Sequence, residues 1–179
     1  RKASSGPTLE FNLDLEYRHN NNIFVTQDDQ RSDFIRSAAP SVSWTTPVGK
    51  HRLELNYDGD WSNHAQFHSE DKSAHELGAN LELDLHRIFK VDVDAGLEVN
   101  DDSRKSLTSR DAVTGSPDRW RNHRLGASLR LGRRIAVAQL QLDLNHTGTR
   151  YLNNGQEDRD IDVQWYRLEG SWNLRPRLS

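Results

Sequence analysis

Apolar and polar residues alternate strictly between Leu9 and Tyr17, where every odd position is apolar and every even position is polar. Side chains on a β-strand point to opposite faces in turn, so this segment predicts a strand with one apolar and one charged face. A helix would instead distribute the same leucines around its axis. The alternation therefore favours a sheet in which each face meets a different environment.

The same period of two recurs along the chain and predicts about eight strands. The segment from Phe34 to Thr46 is less regular, because Pro40 removes a hydrogen-bond donor and predicts a bulge or local break. The other alternating segments are Leu53–Trp61, Leu77–Leu85, Val91–Val99, Leu125–Leu131, Leu140–Leu144 and Tyr166–Leu174.

The connections between these segments alternate in length. Short turns on one rim and long hydrophilic loops on the other are typical of outer-membrane barrels, with the short turns periplasmic and the long loops extracellular. The short turns are Thr46–Lys50, Leu85–Phe89 and Gly132–Arg134, and the long loops are Arg18–Ser32, His64–Ala74, Asp101–Arg119 and Asn153–Asp160.

Composition excludes several other classes of protein. The mean hydropathy of -0.90 is very polar, but the periodic apolar residues and the 5 Trp, 4 Tyr and 5 Phe oppose disorder. There is no Cys, so disulfides and thiolate chemistry do not contribute. The longest segment without charge, Ser37 to Gly49, is shorter than the roughly 20 residues that a membrane-spanning helix needs.

These observations predict an all-β fold: an antiparallel up-and-down transmembrane β-barrel of about eight strands. Residues 1–179 form a single domain, or a portion of a larger barrel. We expect the apolar face to meet lipid and the charged face to line the interior. A soluble lipocalin-like barrel, with the apolar residues inside, remains as an alternative. The predicted lumen-facing residues are Glu10, Asp14, Glu16, Glu54, Asp58, Asp60, Glu82, Asp84, Asp92, Asp94, Glu98, Arg124, Arg130 and Arg167.

Aromatic residues near the ends of the apolar runs predict a girdle at the membrane interfaces. The girdle candidates are Tyr17, Trp44, Trp61, Phe89, Trp120, Tyr151, Trp165 and Trp172.

The sequence offers weak signals for metal or catalytic chemistry, and we predict no metal, no cofactor and no catalytic residue. The closest His cluster, His64 and His68 with Glu70 and Asp71, lies in a loop and lacks the defined spacing of a zinc site. The residues of a lipid-modifying enzyme could be His123, Ser128 and Glu98, but triads are recognised by geometry and not by order.

A group of arginines raises the possibility of nucleic-acid binding, which the net charge of -3 opposes. Paired barrel charges or contacts with lipopolysaccharide explain these arginines more economically. The group consists of Arg119, Arg121, Arg124, Arg130, Arg133 and Arg134.

Several segments resemble a known family. The run Leu15–Phe24, followed by Ser32–Ile35 and Ala39–Val42, resembles the opening of the outer-membrane β-barrel porins associated with exopolysaccharide and capsule export. The later segments Gly49–Leu55 and His75–Ala79 are also similar to that family. The resemblance implies a location in the bacterial outer membrane and a role in passing or assisting surface polysaccharide. It supplies no catalytic residue.

The function predicted is therefore that of a non-enzymatic, porin-like outer-membrane protein that assists the export or passage of surface polysaccharide or small solutes. Its expected partners are outer-membrane lipid, lipopolysaccharide, polysaccharide and the export machinery, without nucleic acid. One alternative is a binding module, either a small plugged barrel with adhesive loops or a soluble carrier. Another is the lipid-modifying enzyme.

Overall fold

The computed structural model describes residues 6–25, 27–28, 30–102, 117–132 and 138–172. These residues form eight strands and two short 3-10 turns, His68–Glu70 and Glu157–Arg159. The strands are β1 Thr8–Asn20, β2 Asp33–Val48, β3 His51–His64, β4 Lys72–His86, β5 Phe89–Asp101, β6 Arg119–Leu131, β7 Ala138–Tyr151 and β8 Ile161–Trp172.

The strands form one antiparallel sheet in sequence order, from β1 to β8. Each strand pairs with its neighbour in the chain, which confirms the predicted all-β, up-and-down architecture. Strands β1 and β8 lie at opposite edges, and the sheet is not closed. Among the residues that the structure describes, no helix has the length and hydrophobicity of a membrane span.

Strand β2 continues through Pro40, so the proline interrupts one ladder and not the strand itself. Pro40 pairs with Leu13 of β1, whereas the ladder to β3 pairs Ala38 with Trp61 and Ser41 with Asp58 and skips the positions between them. The predicted local break therefore occurs only on the β3 side, as expected for a residue without a backbone N–H.

The register gives the sheet two chemically different faces, because cross-strand partners lie on the same face. We name them the apolar face and the carboxylate face. One row of the apolar face contains Leu9, Trp44, Leu55, Ala79, Ala95, Leu125, His146 and Gln164. One row of the carboxylate face contains Glu82, Asp92, Ser128, Asp143 and Arg167.

The described sheet has no dry centre of leucines. A soluble barrel would bury Leu13, Leu55, Leu83 and Leu129 together, yet Leu13 is 52% exposed and Leu55 is 40% exposed. The buried hydrophobic residues among those described are Ile23 and Ile35. The apolar face is therefore left open to its surroundings, which does not favour the soluble alternative.

The two ends of the sheet differ as the connection lengths predict. The long connections after β1, β3, β5 and β7 leave and rejoin the sheet at one end, and the tight turns after β2 and β4 lie at the other. The turn after β6 includes Gly132, whereas the predicted turn residues Arg133 and Arg134 lie outside the described residues. We call these the loop end and the turn end.

Candidate functional site

The carboxylate face carries all fourteen of the predicted lumen-facing residues. The register from β1 to β8 places each of them on that face. Parity decides which residues of one strand share a face, and the register then brings the charged residues of all these strands to one surface.

Some of these charges pair with each other. Arg124 Nε lies 3.5 Å from Asp94 Oδ2, and Arg167 Nη2 lies 2.8 Å from Oε2 of its strand neighbour Glu169. Both pairs are well exposed, so each contributes little stability. Glu16 and Asp58 have no ion-pair partner within the described part of the chain. The face therefore offers unpaired carboxylates to water or to cations.

A buried carboxylate at the loop end anchors the loop between β3 and β4. Asp33, only 1% exposed, accepts the backbone N–H groups of Gln66 and Phe67 at Oδ2, each at 3.0 Å. Its Oδ1 accepts the N–H of Phe34 at 2.7 Å. The side chain thus joins the start of β2 to the following hairpin.

The predicted His64, His68, Glu70 and Asp71 cluster lies in the same region. Asp71 accepts the backbone N–H of His64 at 2.6 Å, and its carboxylate lies 3.5 Å from His64 Nδ1 and 3.3 Å from His68 Nδ1. Glu70 is 5% exposed. The contacts of Asp71 therefore organise the loop.

A cavity of about 540 Å³ lies between these loops and the carboxylate face. Ile23 of the first loop and Glu70 of the second line it together with residues of the strands below. The first two long loops therefore fold over the carboxylate face. Its other lining residues include Asp14, Glu16, Arg18, Ile35, Asp60, His64 and Lys72.

A second buried carboxylate, Asp118, organises the loop between β7 and β8. It is fully buried and accepts hydrogen bonds from Asn154 Nδ2 at 2.8 Å and from Arg159 Nη1 at 3.1 Å. Arg159 Nη2 also donates to the Tyr151 hydroxyl at 2.6 Å, and the guanidinium lies 4.0 Å from the centre of the Tyr151 ring. We call these residues the Asp118 cluster.

The register divides the eight predicted girdle residues between the two faces. Trp120 pairs with Asn100 and Tyr151, and Trp165 pairs with Asn145, which places all three aromatic residues on the carboxylate face. These three girdle candidates therefore lie on the face opposite to the apolar one. The five on the apolar face are Tyr17, Trp44, Trp61, Phe89 and Trp172.

The apolar face has a shallow groove of about 660 Å³. The small side chains of Ala79 and Ala95 lie in it between larger ones such as Trp44, Leu77 and Leu97. The groove is therefore a depression in a hydrophobic surface, and it forms because small side chains lie between large ones.

The loop end of the apolar face is polar, which sequence reasoning missed. His75 contacts the Tyr57 hydroxyl through Nδ1 at 3.0 Å and the Ser73 hydroxyl through Nε2 at 2.9 Å. His123 and His146 lie in the neighbouring strands, with Nε2 atoms 3.2 Å apart. The two histidines are far apart in the sequence, so the sequence alone did not indicate this contact. The register between β6 and β7 brings the two rings together.

The residues considered for a hydrolase triad do not converge. Glu98 and Ser128 lie on the carboxylate face, whereas His123 pairs with Leu97 on the apolar face. The arginines are divided in the same way. Arg124 and Arg130 lie on the carboxylate face, Arg119 and Arg121 lie on the apolar face, and Arg133 and Arg134 lie outside the described residues.

A single up-and-down antiparallel sheet with one apolar and one charged face is the architecture from which membrane β-barrels are built. The family model described as "Putative beta-barrel porin 2" matches residues 8–179, and the chain belongs to that family. The searches of curated proteins and of solved structures found no match.

Proposed function

We propose that the protein is a non-enzymatic porin of the bacterial outer membrane that assists the export or passage of surface polysaccharide or small solutes. The observation that carries the proposal is the placement of the fourteen charged residues on one face. A transmembrane barrel needs an apolar exterior and tolerates a polar, water-filled interior. The carboxylate face then lines the passage.

The apolar face supports contact with outer-membrane lipid. Tyr17 and Trp61 lie near the loop end of this face, whereas Trp44, Phe89 and Trp172 lie near the turn end. Two aromatic belts are the arrangement that a bilayer with two interfaces favours. Arg119 and Arg121, at the loop end of the same face, suit the phosphates of lipopolysaccharide because guanidinium groups bind phosphate strongly.

The aromatic residues on the carboxylate face support a sugar as the solute. Trp165 is 46% exposed on that face, next to the polar Asn145. An indole presents a flat apolar surface with a polar edge, which suits the C–H face of a pyranose ring bordered by hydroxyl groups. Together with exposed carboxylates and carboxamides, this surface fits a hydrophilic chain better than an apolar solute.

The test is the permeability of liposomes and planar bilayers that contain the protein, together with surface polysaccharide after deletion of the gene. We expect ion conductance with a preference for cations, because unpaired carboxylates raise the local cation concentration. Asp58→Asn with Asp92→Asn should reduce that preference. Glu157→Gln, in the exposed 3-10 turn after β7, is the control for a charge change elsewhere. Absence of permeation combined with unchanged surface polysaccharide would contradict the proposal.

The covering loops favour a second candidate, a plugged barrel that binds an oligosaccharide without conducting it. Asp33 and Asp118 are buried, and the cavity above the carboxylate face has walls from two loops and four strands. This candidate predicts saturable oligosaccharide binding with no conductance, which the same bilayers distinguish from a porin.

A further inference from the structure

Three potential metal ligands meet at the loop end of the apolar face: His123 of β6, His146 of β7 and Asp162 of β8. One ligand atom from each lies within 4.8 Å of the other two. We propose that these residues bind a divalent transition-metal ion such as Zn²⁺. Two imidazoles and one carboxylate are a common set of protein ligands for such ions.

The separation of the two imidazoles suits a shared metal. His123 Nε2 and His146 Nε2 are 3.2 Å apart. Two nitrogens bound to one tetrahedral zinc, each at about 2.05 Å, are about 3.3 Å apart. The two rings therefore need only small movements to bind the same ion.

The direct contact between the imidazoles restricts their protonation. A hydrogen bond between two Nε2 atoms forms only when one of them carries the proton and the other is bare. A cation that accepts both Nε2 lone pairs lets both rings be bare at Nε2 and gives each a stronger polar contact than the ring pair itself provides.

Gly148 makes the convergence possible. It lies in β7 between His123 of β6 and Asp162 of β8, on the same row of the sheet. A Cβ at this position would lie 2.3 Å from His123 Cε1 and 2.5 Å from Asp162 Oδ1. Glycine within a strand often marks a close approach of other groups. Here the missing side chain lets the ring and the carboxylate meet above the strand.

Arg150 orients the carboxylate ligand. Its guanidinium contacts Asp162 Oδ2 and also lies 3.7 Å from Asp160 Oδ2. Asp162 Oδ1 is the oxygen that lies over Gly148, beside the His123 ring. Partners that hold the other atoms of a metal ligand fix its orientation. Arg150 therefore holds one carboxylate oxygen and leaves the second for the metal.

Metal binding would join three adjacent strands, including the edge strand β8, in which every residue is exposed. A ligand that binds the folded state and not the unfolded state adds RT ln(1 + [L]/Kd) to the free energy of unfolding and so raises the unfolding midpoint. The metal therefore stabilises β8 against separation from β7. This property is independent of solute passage and is measured separately from conductance.

The test is titration of the folded, tag-free full chain in detergent micelles with Zn²⁺, followed by calorimetry and by the unfolding midpoint. The Co²⁺ form reports coordination through its visible spectrum. We expect one ion per chain and a higher midpoint with metal. His146→Ala and Asp162→Asn should each weaken binding at least tenfold. His86→Ala, which changes an exposed histidine at the turn end, should leave binding unchanged.

A second variant keeps all three ligands and changes only their approach. Gly148→Ala should also weaken Zn²⁺ binding, because the new methyl group occupies the space between His123 and Asp162. Heat-modifiable migration on a gel verifies that each variant is folded. Two results would overturn the proposal: wild-type protein that binds no Zn²⁺ below millimolar concentration, or binding that His146→Ala and Asp162→Asn leave intact.

Discussion

Different interactions hold the connections at the two ends of the sheet. At the loop end, carboxylates such as Asp33 and Asp118 are buried and hold long loops in place. At the turn end, the connection after β2 consists of two exposed residues, Gly49 and Lys50. Gly49 has a φ of 66°, a conformation that glycine adopts without steric cost.

The difference shows where polar side chains contribute to the stability of this chain. A tight turn satisfies its backbone groups locally and needs only the right conformation. A long loop that folds over a sheet buries backbone N–H groups, which then require acceptors. Buried carboxylates supply those acceptors at the loop end. Stability there should depend on side-chain chemistry, and at the turn end on backbone conformation.

The largest loss of stability is expected when the carboxylate of Asp118 is removed. Asp118→Ala removes the carboxylate that lies 3.1 Å from the partly buried Arg159 and leaves that guanidinium with Asp102 at 3.8 Å. Because the hydrogen bonds to a charged acceptor are lost, we expect a loss of about 2 kcal/mol in the free energy of unfolding. Denaturant unfolding of the folded protein in detergent measures the loss. Glu157→Ala, in the same loop but exposed, is the control. A loss no larger than the control's would show that the Asp118 cluster does not stabilise the loop.

Asp33→Asn tests the first pair of loops and should have a smaller effect. The carboxamide has one acceptor oxygen and one NH₂ group, so it cannot accept the N–H of Phe34 and those of Gln66 and Phe67 at the same time. We expect the loop between β3 and β4 to exchange amide hydrogens faster, with a modestly lower unfolding midpoint. Asp28→Asn makes the same substitution at an exposed loop position and is the matched control. Unaltered exchange at all three of Phe34, Gln66 and Phe67 would be inconsistent with the anchoring role of Asp33.

The smallest effect is expected at the turn end. Gly49→Ala places a Cβ in open space, so its cost is only that of a left-handed conformation, about 1 kcal/mol. Gly6→Ala, where the added Cβ also meets nothing and the φ is not positive, should be neutral. The same unfolding measurement checks both variants. Equal unfolding midpoints for Gly49→Ala and wild type would show that the left-handed conformation of Gly49 does not set the stability of this turn.

Strand parity was predictable because alternation is a local property. The leucines of β1 and the carboxylates between them lie on the faces that their positions predict. Proximity to a strand end does not fix the face of a side chain: Trp120, Tyr151 and Trp165 each lie near a strand end, but on the carboxylate face. Parity within their own strands would have placed them correctly.

The loops and the proposed metal site could not be derived in this way. Asp33 and Asp118 lie where the alternation stops, so no period distinguishes them from exposed loop aspartates. His123, His146 and Asp162 come from three strands, and their meeting depends on the register of two hairpins. A shift of one residue in either hairpin would move one ligand to the other face.

The sequence by itself determined the strands, their alternating faces and the order of long and short connections, because these depend on residues near one another in the chain. The tertiary structure decided which side chains meet across strands, which loop carboxylates are buried, and where Gly148 leaves room for a ring and a carboxylate. These features depend on register and on the folding of the loops over the sheet. Contacts between distant residues set both, and no local pattern encodes them.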